Sequence, residues 1–160
     1  MNRSDLIEYK LTPALNECRL HLRRLNYAAD LLEGLFPLDK DAWLALDDGN
    51  IAAIDQLLFR FGKLQDAMGQ RLFSAILMLG ADWQEDESFF DKLNRLEKLQ
   101  VIPSVTEWIS LRELRNFATH EYPDAPEQNA ANLNQVYSAL PALRSALEQA
   151  SSYAQKHYLG

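Results

Sequence analysis

The spacing of apolar residues restricts this chain to helices. Apolar side chains recur at steps of three and four along most of the 160 residues, which matches the turn of an amphipathic helix. An alternating strand pattern and an internal repeat are both absent from the sequence. The pattern predicts helices over residues 4–34, 39–46, 50–79, 88–102, 104–121 and 126–157. We therefore predict an all-α fold, an antiparallel bundle of four to five helices, with residues 1–160 forming one domain.

Composition narrows the choice of partners. A formal net charge of −7 argues against a broad basic surface for nucleic acid, although a focused cationic cleft can still bind RNA weakly. The longest apolar run, residues 73–81, is far shorter than the roughly 20 residues of a membrane span. The N-terminal segment MNRSDLIEYK lacks an apolar signal region, so a cytoplasmic location without membrane association is expected. The single cysteine, Cys18, lies on an apolar stripe and is predicted to be a small core residue.

The segment from Ser104 to Asp124 carries the most unusual polar residues. Ser104 and Glu107 are spaced as a capping box, which marks the start of a helix. Pro123 cannot continue a helix, so the predicted end lies near Glu121. The polar residues of the last turns are Arg112, Arg115, Asn116, Thr119, His120 and Tyr122. This cluster is the candidate functional site.

Other kinds of site find little support in the sequence. Three histidines and one cysteine show no spacing typical of metal ligands, so no metal and no other cofactor is predicted. A glycine-rich phosphate loop and the signature of a serine nucleophile are also missing. The polar cluster near residue 120 is what remains.

Helix geometry constrains how this cluster can work. At about 100° per residue, Asn116 and His120 share a face, whereas Arg115 and His120 diverge by roughly 140°. Either the long arginine side chain curls round the helix, or two copies of the helix meet across a two-fold axis and build the cleft together. The second arrangement predicts a homodimer.

The residue types suit RNA cleavage. RNA supplies its own nucleophile, because the 2′-OH can attack the adjacent phosphate. His120 can act as general acid or base, and Arg115 can neutralise charge that develops on the phosphate oxygens. Asn116 can orient His120 or bind a phosphate. The alternative is that these residues only connect two protomers or satisfy the polar groups at the end of the bundle.

The residues Arg115-Asn116-Phe117-Ala118-Thr119-His120 resemble the R-N-x3-H signature of HEPN domains. With Tyr122 added, the segment is similar to the R-x4-H-x-Y form of HepT-like toxins, and Trp108 and Arg112 resemble flanking residues of HEPN partners of nucleotidyltransferases. The resemblance implies a metal-independent ribonuclease with its cleft at a dimer interface. It implies as partner a minimal nucleotidyltransferase that acts as the antitoxin and transfers AMP to Tyr122.

Two further features of the sequence allow alternative interpretations. The same resemblance allows a non-catalytic subunit that binds a nucleotidyltransferase and cuts nothing. In the helix predicted for residues 50–79, Gly62 and Gly69 favour close helix packing over a hinge. Arg60, Lys63 and Asp66 indicate a surface ion-pair ladder, or else Arg60 or Lys63 adds positive charge to a cleft with His120.

Overall fold

The computed structural model describes residues 1–81, 83–118 and 120–160, and these residues form helices and contain no strand. The α-helices are α1 (Arg3–Leu6), α2 (Thr12–Leu31), α3 (Lys40–Leu44), α4 (Asp48–Ala67), α5 (Phe73–Leu79), α6 (Phe89–Lys98), α7 (Val105–Ala118) and α8 (Pro126–Ala154). Turns of π-helix at Ile7–Leu11 and Met68–Leu72 join α1 to α2 and α4 to α5, and a third at Gln155–Leu159 extends α8. The all-α prediction is confirmed.

The helices enclose a common core. Helices α2 and α4 pack against each other along their length, and α7 packs against both α4 and α8. The short helix α3 lies against α8, and α6 lies against α7. One cluster of buried apolar side chains draws on every one of the longer helices. Cys18 belongs to this cluster, and burial raises the pKa of its thiol to about 12.

Two glycines, Gly62 in α4 and Gly69 in the π-helical turn that follows it, lie in close contact with α7. A Cβ atom added at Gly62 would lie 3.3 Å from Nε of Arg115, and one added at Gly69 would lie 3.5 Å from the Trp108 ring. The contact at Gly62 is tight, so a side chain there would push against the guanidinium. Because Arg115 follows Trp108 in α7 while Gly62 precedes Gly69, the two helices run in opposite directions. The glycines serve close packing, as the sequence indicated.

Helix α7 begins as predicted and ends earlier than predicted. The Ser104 hydroxyl accepts a hydrogen bond from the Glu107 amide at 3.0 Å, so half of the expected capping box forms. The helix stops at Ala118 instead of near Glu121. The physical reason lies in α8, where Asn129 accepts a hydrogen bond from the Tyr122 amide at 3.0 Å and donates one to the Tyr122 carbonyl at 2.9 Å. These two bonds hold the chain away from the helical path.

A second asparagine of α8 holds another loop in the same way. Asn134 accepts from the Leu38 amide at 2.7 Å and donates to the Leu38 carbonyl at 2.8 Å. Phe36 stacks on Tyr137 of the same helix with ring centroids 4.0 Å apart. The loop that leads into α3 is thus fixed on α8.

Within the described ranges, no helix is both long enough and apolar enough to cross a membrane.

A buried histidine joins α2 to α4. His21 is 7% exposed, and its Nδ1 lies 2.9 Å from Nη1 of Arg60. An arginine only donates hydrogen bonds, so Nδ1 accepts and the ring proton resides on Nε2, which lies 3.5 Å from the Glu17 carboxylate. Burial and the charges of Arg60 and Lys63 lower the pKa of His21, against the opposing effect of Glu17. Burial would raise the pKa of Glu17, but the hydrogen bond and charge of Arg71, helped by His21, hold it below its ordinary value. The network is therefore built for a neutral imidazole beside a carboxylate.

This arrangement predicts that acid destabilises the protein through His21. The folded pKa lies below the unfolded value, so the unfolded chain binds a proton first as the pH falls below about 6.5. The urea midpoint should therefore decrease between about pH 7 and about pH 5. His21→Gln keeps an acceptor for Arg60 but cannot titrate, so its midpoint should change less over that range. His157→Gln, at an exposed histidine, is the matched control and should follow the wild type. Equal slopes in all three proteins would contradict the assignment.

Candidate functional site

Two arginines of α7 share one carboxylate of α4. Nη1 of Arg112 donates to one oxygen of Asp66 at 3.0 Å, and Nη2 of Arg115 donates to the other oxygen at 2.9 Å. All three side chains are about a quarter to a third exposed, so solvent reaches the cluster. Two positive charges on one negative charge leave an excess of one positive charge. Such a cluster can attract a phosphate, but its guanidiniums are already engaged by Asp66.

This pairing replaces the surface ladder expected along α4. Asp66 turns toward α7 instead of pairing with Lys63, which lies over the Phe59 ring at 5.6 Å from its centroid. Arg60 also lies over the Phe59 ring, at 5.1 Å, while it donates to His21 of α2. Neither cation is among the residues that line the pocket of His120, and Arg60 is engaged by His21, so the structure gives no support to a cleft that they share with His120. The helix is packed on two sides, and its polar residues bond to whichever helix they face.

His120 lies beyond the end of α7 and lines a pocket. Its amide bonds to the Phe117 carbonyl at 3.1 Å, in the turn that ends the helix. The pocket has a volume of about 470 Å³ and is bounded by α3, α4, α8 and the segment that carries His120. Because His120 is not on the helix, the divergence of roughly 140° derived from a straight helix does not describe this site. The geometric reason for a two-fold cleft is thereby removed.

Arg115 and His120 border the same helix at different heights. Arg115 packs against Gly62 and pairs with Asp66, whereas the His120 pocket is lined by Asp55 and Leu58, which lie about one to three turns earlier in α4. Arg115 does not line that pocket. Within one protomer, the guanidinium of Arg115 and the imidazole of His120 therefore lie beside α4 in neighbouring but separate positions.

Tyr122 lies beside His120 at the surface. The two ring centroids are 6.5 Å apart, and Tyr122 is 43% exposed. Both backbone polar groups of Tyr122 are bonded to Asn129, so the position of its backbone is fixed. The phenol is accessible and is not packed in the core.

Arg112 and Asn116 line a different groove. Its other walls include Trp108, Phe89 and Phe90, and its volume is about 320 Å³. Phe89 and Phe90 are about half exposed, and so is Phe117 on the next turn of α7. Asn116 therefore faces the aromatic groove and does not line the His120 pocket. Thr119, the remaining residue of the predicted cluster, lies outside the described residues.

Several residues of the site could not be found from the sequence. Asp66 was assigned to the wrong partner, and Asp55, Asn129 and Asn132 carried no motif. The sequence feature that pointed to the position of Asp66 was Gly62, because a helical glycine marks the face that approaches another helix. Asp66 lies one turn beyond it on that face. No comparable signal pointed to the asparagines of α8.

The residues that the structure describes contain no group of three or more His, Cys, Asp or Glu side chains that could hold a metal ion.

Comparisons with known proteins identify no relative of this chain. Searches against models of protein families, curated proteins and solved structures found no match to this chain.

Proposed function

We propose that this chain is a HEPN-type, metal-independent endoribonuclease that acts as the toxin of a module with a minimal nucleotidyltransferase. The observation that carries the proposal is that Arg115 and His120 both lie beside the same face of α4. The Arg115 cluster holds an excess positive charge, and the exposed His120 lines a pocket that meets the same face of α4 about one to three turns earlier. A phosphodiester needs both kinds of group within reach, one for its charge and one for its protons.

The reaction needs only groups that the protein and RNA supply. The 2′-oxygen attacks phosphorus and loses its proton to a neutral imidazole of His120. The bond from phosphorus to the 5′-oxygen breaks, and that oxygen takes up a proton from a second imidazole or from water. The products end in a 2′,3′-cyclic phosphate and a 5′-hydroxyl. Arg115 stabilises the charge that grows on the non-bridging oxygens.

Asp66 affects how Arg115 can bind a phosphate. It holds the guanidinium through one oxygen and uses its other oxygen for Arg112. A phosphate that approaches Arg115 therefore meets a side chain that is already ordered, which lowers the entropic cost of binding. It also meets a competing carboxylate, which limits affinity. Weak, selective binding fits the acidic charge of the whole chain.

Cleavage should proceed in EDTA, because the nucleophile comes from RNA itself. His120→Ala and Arg115→Ala should each lower the cleavage rate by about a hundredfold or more, the scale of losing a general acid–base or an oxyanion-stabilising group. Product ends analysed by mass spectrometry should carry a cyclic phosphate.

Matched controls separate the site from general effects. His157→Ala and Arg144→Ala remove the same side chains elsewhere, where Arg144 bonds to Asn26 at 2.8 Å. Both should keep wild-type activity. Equal activity in wild type, His120→Ala and Arg115→Ala would identify a contaminating nuclease and overturn the proposal.

The proposed enzyme is a homodimer with the end of α7 at its centre. The half-exposed side chains of Phe89, Phe90 and Phe117 support this, because burying aromatic surface is a common source of association energy. Phe89 and Phe90 line the groove of Arg112 and Asn116, and Phe117 follows Asn116 in α7, so an interface there would bring two copies of the motif together.

Light scattering should therefore give a dimer mass at micromolar concentration. Phe117→Glu places a charge in the proposed interface and should yield a monomer with a wild-type helical spectrum. Tyr27→Glu, at an exposed aromatic of α2, is the control and should remain a dimer. A wild type that is monomeric at that concentration would exclude the shared cleft.

Tyr122 is the proposed switch. Its exposed phenol lies next to His120, so an AMP group added by the partner nucleotidyltransferase would bring a phosphodiester charge beside the imidazole. That charge would compete with substrate for the same donors and stop cleavage.

Incubation with the proposed partner nucleotidyltransferase and ATP should add AMP mass to the wild type and abolish its activity. Tyr122→Phe should gain no mass and stay active, while Tyr9→Phe, at another exposed tyrosine, should behave as wild type. AMP transfer to Tyr122→Phe at the wild-type level would show that Tyr122 is not the acceptor.

The second candidate function is a binding subunit that cuts nothing. The engagement of both arginines by Asp66 favours it, since no guanidinium of the pair is left without a carboxylate. A stable complex with the nucleotidyltransferase together with inactive wild-type protein would support this alternative.

A further inference from the structure

We propose that the exposed ring of Phe59 stacks on a nucleobase of the bound RNA strand, and that Lys63 pairs with a neighbouring phosphate. The inference deepens the proposed ribonuclease and rests on it, because it names side chains that would hold the strand between Arg115 and His120. Phe59 belongs to α4 and is 52% exposed. It is neither in the buried core cluster nor among the half-buried side chains packed against that cluster.

Phe59 lies between the two parts of the proposed site. Asp55, four residues earlier, lines the His120 pocket, and Gly62, three residues later, is covered by the Arg115 side chain. At about 100° per residue, the three helix positions lie within roughly 60° of one another and so share one face of α4. From Asp55 to Gly62 the helix axis advances by about 10 Å, at about 1.5 Å per residue. A strand that follows this face from Arg115 to His120 therefore passes over the Phe59 ring.

Two cations already lie against the Phe59 ring. The guanidinium carbon of Arg60 is 5.1 Å from the ring centroid, and the ammonium nitrogen of Lys63 is 5.6 Å from it. Arg60 is anchored, because its Nη1 lies 2.9 Å from Nδ1 of His21. Lys63 is exposed and forms no ion pair with any residue that the structure describes. The face of the ring holds the ammonium only through its attraction for positive charge.

A nucleobase can take the place of the Lys63 ammonium on the ring. Stacking of a base on an aromatic side chain is worth more than a solvent-exposed contact between a cation and a ring. The displaced ammonium is then available to the phosphate that adjoins the stacked base, so one exchange gives the strand two contacts. Every base has a π face, and stacking on Phe59 therefore requires no particular base.

Charge favours a nucleic-acid strand as the occupant of this face. Arg112 and Arg115 share the one carboxylate of Asp66, which leaves an excess of one positive charge, and Lys63 adds a second. Asp55 subtracts a charge at the other end of the face, so the positive charge is concentrated where Arg115 lies. An aromatic ring beside unpaired positive charge is the combination by which proteins hold single strands.

Binding can be measured without cleavage, using the whole protein and 2′-O-methyl oligouridylate, which lacks the attacking hydroxyl. The reference ligand is an abasic 2′-O-methyl oligomer of the same length and charge. The wild type should bind oligouridylate about tenfold more tightly than the abasic oligomer. Only oligouridylate should shift the NMR signals of the Phe59 ring. Oligoadenylate should show the same advantage over the abasic oligomer, because any base can stack.

Substitutions at Phe59 separate stacking from apolar bulk. Phe59→Leu keeps an apolar side chain but has no π face, so it should bind oligouridylate and the abasic oligomer equally. Phe59→Trp supplies a larger ring and should recover the difference. Tyr27→Leu, at an exposed aromatic residue of α2, is the matched control and should bind as the wild type does. A tenfold difference that persists in Phe59→Leu would overturn the proposal. So would a Phe59→Leu protein whose mass in light scattering changes while its RNA affinity does not, because Phe59 would then contact a protein.

Lys63→Gln tests the transfer of the ammonium to a phosphate. Loss of one phosphate contact should reduce the slope of log K against log salt by about 0.7 for a single strand. Lys156→Gln, at an exposed lysine near the end of the chain, should leave the slope unchanged. A wild-type slope in Lys63→Gln would refute the phosphate contact.

The outcome is separable from that of the proposed function. Cleavage by a Phe59→Leu protein that also binds as the wild type does would refute the stacking contact and leave the ribonuclease standing. Binding that depends on Phe59, in a protein that cleaves nothing, would refute the ribonuclease and leave the stacking contact standing.

Discussion

The close contact between α4 and α7 determines the rest of the molecule. Gly62 allows Arg115 to lie on the surface of α4, and Asp66 then reaches both guanidiniums. Gln65, fully buried between them, donates from Nε2 to the Leu111 carbonyl at 3.0 Å, so a polar bond fixes the register where apolar packing alone would permit sliding. The position of the motif relative to α4 follows from this register.

The same contact separates the two halves of the motif. The guanidiniums are held by a helix, whereas His120 is held by a turn that α8 positions. A rigid charged cluster therefore adjoins an imidazole whose location depends on a different helix. In the proposed ribonuclease, the acid–base group could therefore change position without disturbing the charge proposed to bind phosphate.

Local patterns were sufficient for most of the fold and for little of the site. Apolar spacing identified the helices because each must bury one face, and the paired glycines identified the face of α4 that meets α7. The end of α7 was misplaced because Asn129, on the following helix, competes for the backbone at Tyr122. The partner of Arg115 was missed because Asp66 lies 49 residues away along the chain. Contacts of that range leave no periodic trace in a sequence.

The paired hydrogen bonds from Asn129 have a consequence for how the site can vary. One amide group meets both polar groups of a backbone unit, much as a neighbouring strand would. The course of the segment is thus set by a side chain of α8, and the segment's own side chains are left free to diversify. Glu121 and Tyr122 can be exchanged for other residues while the backbone that presents them keeps its path. The side chains that this segment presents and the path of its backbone are therefore encoded in different parts of the chain.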